Sequence, residues 1–211
     1  NIATKLTWSH HEIMNSKTGH MTLSDYLIPV ESQKLRFLKD IILIIGFSMI
    51  MGISAQIRIN LGFTPVPITS QTLVVLITGA LLGSKRGAAV MLLYLLEGAI
   101  FPVFSNGSSG FFWQLSTGGY LLGFIPAAFI IGYLVEQGWS TKPWILPAML
   151  LGNIIIYIPG LIILSLWVPE GKTLEYGLLP FIPGDLIKII LASILIPIIY
   201  TQIYNNKGNK G

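Results

Sequence analysis

Two charges sit where charges are costly. The stretch PFIPGDLIKIILASILIPIIY, residues 180–200, is apolar enough for a membrane interior, yet it carries Asp185 and Lys188 near its start. On a helix, residues three apart share a face. One charge at a bilayer centre costs about 2.5–3.5 kcal/mol on insertion scales, and pairing offsets part of that. The pair could be a structural ion pair, with Lys188 snorkelling to an interface. It could be a ligand site, the carboxylate accepting N–H donors and the ammonium meeting an anion or a carbonyl. It could also relay protons. Intramembrane charges usually mark function, which favours the ligand site.

Other polar groups lie in apolar segments. Asn153 and Tyr157 are one helical turn apart, and Gln71 opens another apolar run. Their polar atoms need partners in lipid, supplied by a pocket or a neighbouring helix. Glu97, beside Tyr94, either lines a pocket or reaches an interface. Several motifs carry no chemistry. Gly171-Lys172-Thr173 ends like a phosphate-binding loop, but Leu166 stands where the upstream glycine is required. Asn106-Gly107-Ser108 fits a glycosylation sequon, a pattern of low specificity. HExxH and GxSxG are absent, and no nucleophile has a base partner. The chain is not expected to be an enzyme or to hydrolyse ATP itself.

The elements that must position these residues are membrane helices. Of 211 residues, 53% are apolar and 10% charged, with a mean hydropathy of +0.72. Soluble domains are about 25% charged. The continuous apolar runs argue for helices and against a β-barrel. Six spans can be drawn, at about residues 38–57, 68–82, 87–100, 120–135, 144–167 and 178–199. The second and third are short for the ~20 residues of a full crossing. Residues 1–33 read as a polar, partly disordered tail, 34–204 as one membrane domain and 205–211 as a short basic tail. The chain opens on Asn-Ile, as a fragment or a processed form would, and residues 1–33 lack the pattern of a signal peptide. They hold all three histidines, His10, His11 and His20, with no second ligand cluster to complete a metal site. With no cysteine, disulfides are excluded.

Orientation follows from the basic residues. Lys34, Arg36, Lys39, Lys85, Arg86, Lys142, Lys207 and Lys210 fall on one side of the six spans, against Arg58 and Lys172 on the other. Both termini should therefore be cytoplasmic. The net charge of +4 reflects these loops rather than a nucleic-acid partner. The outer loops, QIRINLGFTPVPITSQ and PVFSNGSSGFFWQLSTGG, are long, weakly charged and rich in Gly, Pro, Ser and aromatics. Loops of this kind usually have a task, here covering an outward-facing pocket. Gly79, Gly83 and Gly87, Gly119 and Gly123, and Ser48 and Gly52 recur at four-residue spacing. Such faces let membrane helices approach closely. Internal packing is the default, and the first span is the best candidate for a face that docks another membrane protein.

The blocks VPITSQTLVVLITGALLGSKRG, YLLEGAIFPVFSNGSSG, STGGYLLGF, GNIIIYIPG and PGDLIKIILA occur in that order. Together they resemble the BioY family, the biotin-binding S components of energy-coupling factor transporters. The resemblance covers about residues 45–200. It implies a six-helix S-component fold in a prokaryote-type plasma membrane, surrounded by lipid. Biotin would be the substrate, with no cofactor and no metal. A transmembrane coupling protein and two cytoplasmic ATPases would supply the energy. The family's GD-x-x-K block falls on Gly184, Asp185 and Lys188, which implies ligand binding by these two charges. The loop block falls on Phe104 to Gly110, with Asn106 as a polar contact. The TGGY block ends at Tyr120, the GN-x-x-x-Y block holds Asn153 and Tyr157, and Ser48 with Gly52 match the docking face. The chain departs from the family at Ile100-Phe101-Pro102 and at Ser116, where the family usually has Gly-Leu-Pro and Pro. The competing reading is a stand-alone secondary transporter coupled to protons or ions through Asp185. Such proteins often carry internal repeats, and no clear repeat is visible here.

Overall fold

The computed structural model describes residues 22–30, 32–141 and 143–208. The three histidines, Lys142 and Lys210 lie outside them. In chain order the elements are α1 (Leu23–Leu27), α2 (Gln33–Gln56), β1 (Arg58–Ile59), β2 (Ile68–Thr69), α3 (Gln71–Leu82), α4 (Ser84–Ile100), α5 (Gly118–Leu134), α6 (Ile145–Leu164), α7 (Thr173–Gly177) and α8 (Ile182–Gly208). Single 3₁₀ turns lie at Ser105–Gly107 and Phe112–Gln114. Five helices, α2, α4, α5, α6 and α8, are long and apolar enough to cross a membrane, and α3 is a shorter apolar sixth. Helix α2 begins five residues before the sequence-based boundary, because hydropathy marks where lipid is needed and not where the helix starts.

Helix α5 lies at the centre, which its small residues allow. A Cβ at Gly119 would fall 2.0 Å from the Pro159 carbonyl oxygen of α6, and one at Gly123 would fall 2.8 Å from that of Ile156. On its other side Gly79 of α3 meets the Ala128 carbonyl, where a Cβ would sit at 2.6 Å. The glycine spacing thus serves packing within the chain, as small-residue faces do in membranes. One apolar cluster joins α2, α3, α4 and α5 through Met51, Val75, Met91 and Phe124. A second joins α1, α3, α6 and α8 through Leu23, Leu76, Met149 and Ile196. Outside, Phe37, Ile42, Met49 and Ile53 of α2, Ile154, Ile158 and Ile162 of α6, and Ile187 and Ile190 of α8 are exposed. Apolar side chains facing outward on several helices suit a lipid surround.

The two ends of the bundle differ. At the end that carries both described termini, Gly83 turns the chain from α3 to α4 with φ of +86°, a conformation that favours glycine. Glu136 accepts the backbone N–H of Ser84 at 2.8 Å and so caps α4. Residues 23–27, within the expected tail, instead form α1 and bury Leu23. Asp25 of α1 accepts both terminal nitrogens of Arg86 and the ammonium of Lys39, each at 2.8 Å. Arg86 also meets Asp40 at 2.8 Å. Burial alone would push the Asp25 carboxyl up, but bonds from Arg86, Lys39 and Thr22 outweigh it and hold the group below the usual carboxylate range. At the other end lie the 57–70 and 101–117 loops and the short antiparallel β1–β2 pair, in which Arg58 faces Thr69.

Candidate ligand site at the loop end of the bundle

Asp185 is the centre of the site. It stands in the first turn of α8, where a carboxylate is favoured by the helix dipole. Pro183 in the same turn sacrifices no helix bond there. Lys188, one turn on, donates to Asp185 Oδ1 at 3.0 Å and to the Thr72 hydroxyl of α3 at 2.9 Å. Thr72 in turn donates to Asp185 Oδ1 at 3.3 Å. On the far oxygen, Asn153 Nδ2 donates to Oδ2 at 3.3 Å, and the Tyr157 hydroxyl donates to the same atom. Three helices thus converge on one carboxylate that is only 4% exposed. The ion pair balances the charge and the neutral donors fill the remaining lone pairs, which is what a buried carboxylate requires.

Asp185 and Lys188 open on a cavity of about 60 Å³. Its polar walls also include Thr69, Gln71, Thr72, Ser105 and Thr117, and its apolar walls include Val66, Phe104, Tyr120, Phe124, Ile156 and Phe181. Aromatic geometry stiffens it. Tyr120 meets Tyr157 edge to face at 5.9 Å, and its hydroxyl is anchored on the Gly177 carbonyl at 2.8 Å. Phe104 packs edge to face on Tyr94 at 5.4 Å and fills the space above Gly98, where a Cβ would fall 2.0 Å from its ring. An apolar chamber with a few placed polar groups is the common form of a small-molecule site.

Six sequence candidates line this cavity: Gln71, Phe104, Tyr120, Tyr157, Asp185 and Lys188. Asn153 stands behind it and touches Asp185. Tyr94 also lies behind the wall, its hydroxyl accepting from Gln71 Nε2 at 2.9 Å and donating to the Val103 carbonyl at 3.2 Å. Glu97 faces α2, where it accepts from the Ser48 hydroxyl at 3.1 Å. This corrects the expectation for Ser48: it is fully buried against α4 and not on the open side of α2. Gly52, half-buried, likewise faces Val103. Asn106 does not line the cavity. It adopts a left-handed φ of +62°, and its side-chain oxygen accepts from Arg58 Nε and from Asn60 Nδ2. Gln56 Nε2 adds a bond to the Phe104 carbonyl at 3.0 Å. These contacts clasp the 57–70 loop to the 101–117 loop. Thr72, absent from the sequence candidates, is the residue that joins both charges to α3.

The architecture matches a solved membrane protein. A crystal structure at 2.1 Å of the S-component for biotin from an ECF-type ABC transporter superposes with a TM-score of 0.71 at 27% identity, covering 82% of this chain and 95% of that one. The chain therefore has the S-component fold. The BioY family model matches residues 21–205, so the chain belongs to the BioY family. A Rhizobium etli protein described as biotin transporter BioY is 38% identical over 169 residues, covering 74% of this chain and 90% of the relative. A Thermotoga maritima protein of the same description is 38% identical over 152 residues, covering 71% and 88%. These relatives are transport proteins and not enzymes.

Proposed function

We propose that the protein binds biotin in the cavity between α3, α5, α6 and α8, entered from outside the cell, and passes it inward with an ATP-driven coupling module. The observation that carries the reading is the convergence of Thr72, Asn153, Tyr157 and Lys188 on Asp185 at the wall of an aromatic chamber. The ureido ring of biotin offers two N–H donors and one C=O acceptor. Asp185 accepts such donors and Lys188 supplies a donor beside it, with charge-assisted bonds on both sides. Tyr157, Asn153 and Thr72 are neutral partners, and a ligand N–H replaces one of them at the carboxylate without stranding a charge. The apolar walls suit the bicyclic core.

Supporting this, the relatives named above are described as biotin transporters. The cavity of about 60 Å³ is smaller than the ~300 Å³ of common small-molecule sites, so the loops give way as biotin enters. The excess of Lys and Arg at the terminal end favours cytoplasmic termini and places the loop end outside. A transmembrane coupling protein and two ATPases are the partners this reading requires. Detergent-purified protein should bind radiolabelled biotin with submicromolar affinity and should ignore thiamine and riboflavin. Absence of submicromolar biotin binding by the intact protein overturns the reading.

A further inference from the structure

At the loop end the described cations are Arg58, Lys172 and Lys188. Lys188 is paired with Asp185, and Lys172 with Glu175 on α7. Arg58 pairs with no carboxylate among the described residues. Its Nε donates to the Asn106 side-chain oxygen, and its Nη1 donates to the Gln56 carbonyl at 3.3 Å and to Gln56 Oε1 at 3.1 Å. All these acceptors are neutral. Arg58 also sits at the rim of the cavity from two directions. Its partner across the β1–β2 pair is Thr69, and its acceptor Asn106 follows Ser105, and both Thr69 and Ser105 line the cavity. The Ser105 hydroxyl is buried and has no hydrogen-bond partner.

We propose that Arg58 is a specificity-determining residue that receives the carboxylate on the ligand's tail, with Ser105 as a second donor. This rests on the biotin reading and deepens it. A guanidinium presents a planar fork that fits a carboxylate. Exchanging amide and carbonyl oxygens for charged ones makes each bond shorter and stronger. The division of labour follows: Asp185 takes the ureido N–H groups, Lys188 the ureido oxygen, and Arg58 the anion that the tail carries. The site then selects ligands with an anionic tail over otherwise identical neutral ones.

The test uses biotin and biotinamide, which share the ring system and tail but differ in charge. Purified protein should prefer biotin by about tenfold, as one charge-assisted contact at an exposed rim provides. Arg58→Gln should weaken biotin alone and reduce the preference to under about twofold, whereas Arg58→Lys should keep part of it. The preference should also shrink as salt rises. Equal weakening of both ligands by Arg58→Gln, or an unchanged preference, overturns the assignment. Equal affinities of the parent protein for the two ligands overturn it as well. Binding of neither ligand by the parent overturns the biotin reading beneath it.

Discussion

The molecule holds an acid–base cluster at each end, and the two are built differently. At the terminal end Asp25, Asp40, Arg86 and Lys39 are charged partners of one another, with a bidentate Arg86 at the centre. Removing any member strands a charge, so the cluster fixes α1 and α2 against α4. At the loop end Asp185 has one charged partner and three neutral ones, contributed by α3 and α6. Neutral donors exchange for those of a ligand at small electrostatic cost, because the Asp185–Lys188 balance is untouched. The first cluster is a fastening, and the second is a receptor. Ion pairs alone do not tell the two apart; the fraction of neutral partners and the presence of an aromatic chamber do.

Substitutions can break or sharpen this contrast. The largest effect is expected at Asp185. Asp185→Asn should weaken biotin at least about 100-fold, near 3 kcal/mol, because it removes the charged acceptor and strands Lys188; radioligand titration checks this. Arg86→Leu should do the opposite. It leaves Asp25 and Asp40 without their shared cation, and should lower stability by about 2 kcal/mol while biotin affinity stays within about twofold. The loss is below that of a fully buried pair because these carboxylates are 27% and 30% exposed. Thermal unfolding in detergent beside a binding titration reads both. Equal loss of binding in Arg86→Leu and Asp185→Asn would dissolve the distinction.

Thr72→Val should weaken biotin about tenfold by freeing Lys188 and Asp185 from α3, and Thr72→Ser should restore most of it. The smallest effect concerns pH. The Asp25 carboxyl is held below its ordinary range, so its contribution is complete above the unfolded value of about 3.9 and is lost as pH falls below that. Thermal midpoints should owe no change to this group between pH 8 and 5 and should fall below about pH 4. Asp25→Asn should start lower and lack that component of the fall.

Much of the loop-end site is legible in the sequence, because a polar residue inside an apolar run announces itself. Asp185 with Lys188 and Asn153 with Tyr157 are of this kind. Thr72 is silent, since a threonine in a membrane helix commonly bonds its own backbone and carries no charge. Glu97 announces itself as strongly as Asp185 but turns to Ser48. The rotation of α4 about its axis decides that, and α4 has apolar residues around much of its circumference, so hydropathy does not reveal which side is inward. The same reason defeats the docking expectation for Ser48. Asn106 was recognisable as a polar loop residue, but its left-handed backbone turns it to Arg58, forty-eight positions away in the chain. The order of the six apolar helices was recoverable because each needs a continuous apolar stretch.

The contact of α5 with α6 has a mechanical consequence. Where Gly119 and Gly123 meet Pro159 and Ile156, backbone rests on backbone and no side chain lies between to change rotamer. A joint of that kind has no slack. The α5–α6 side of the chamber therefore behaves as a doorframe, and the door leaf is the clasped pair of loops hung opposite it.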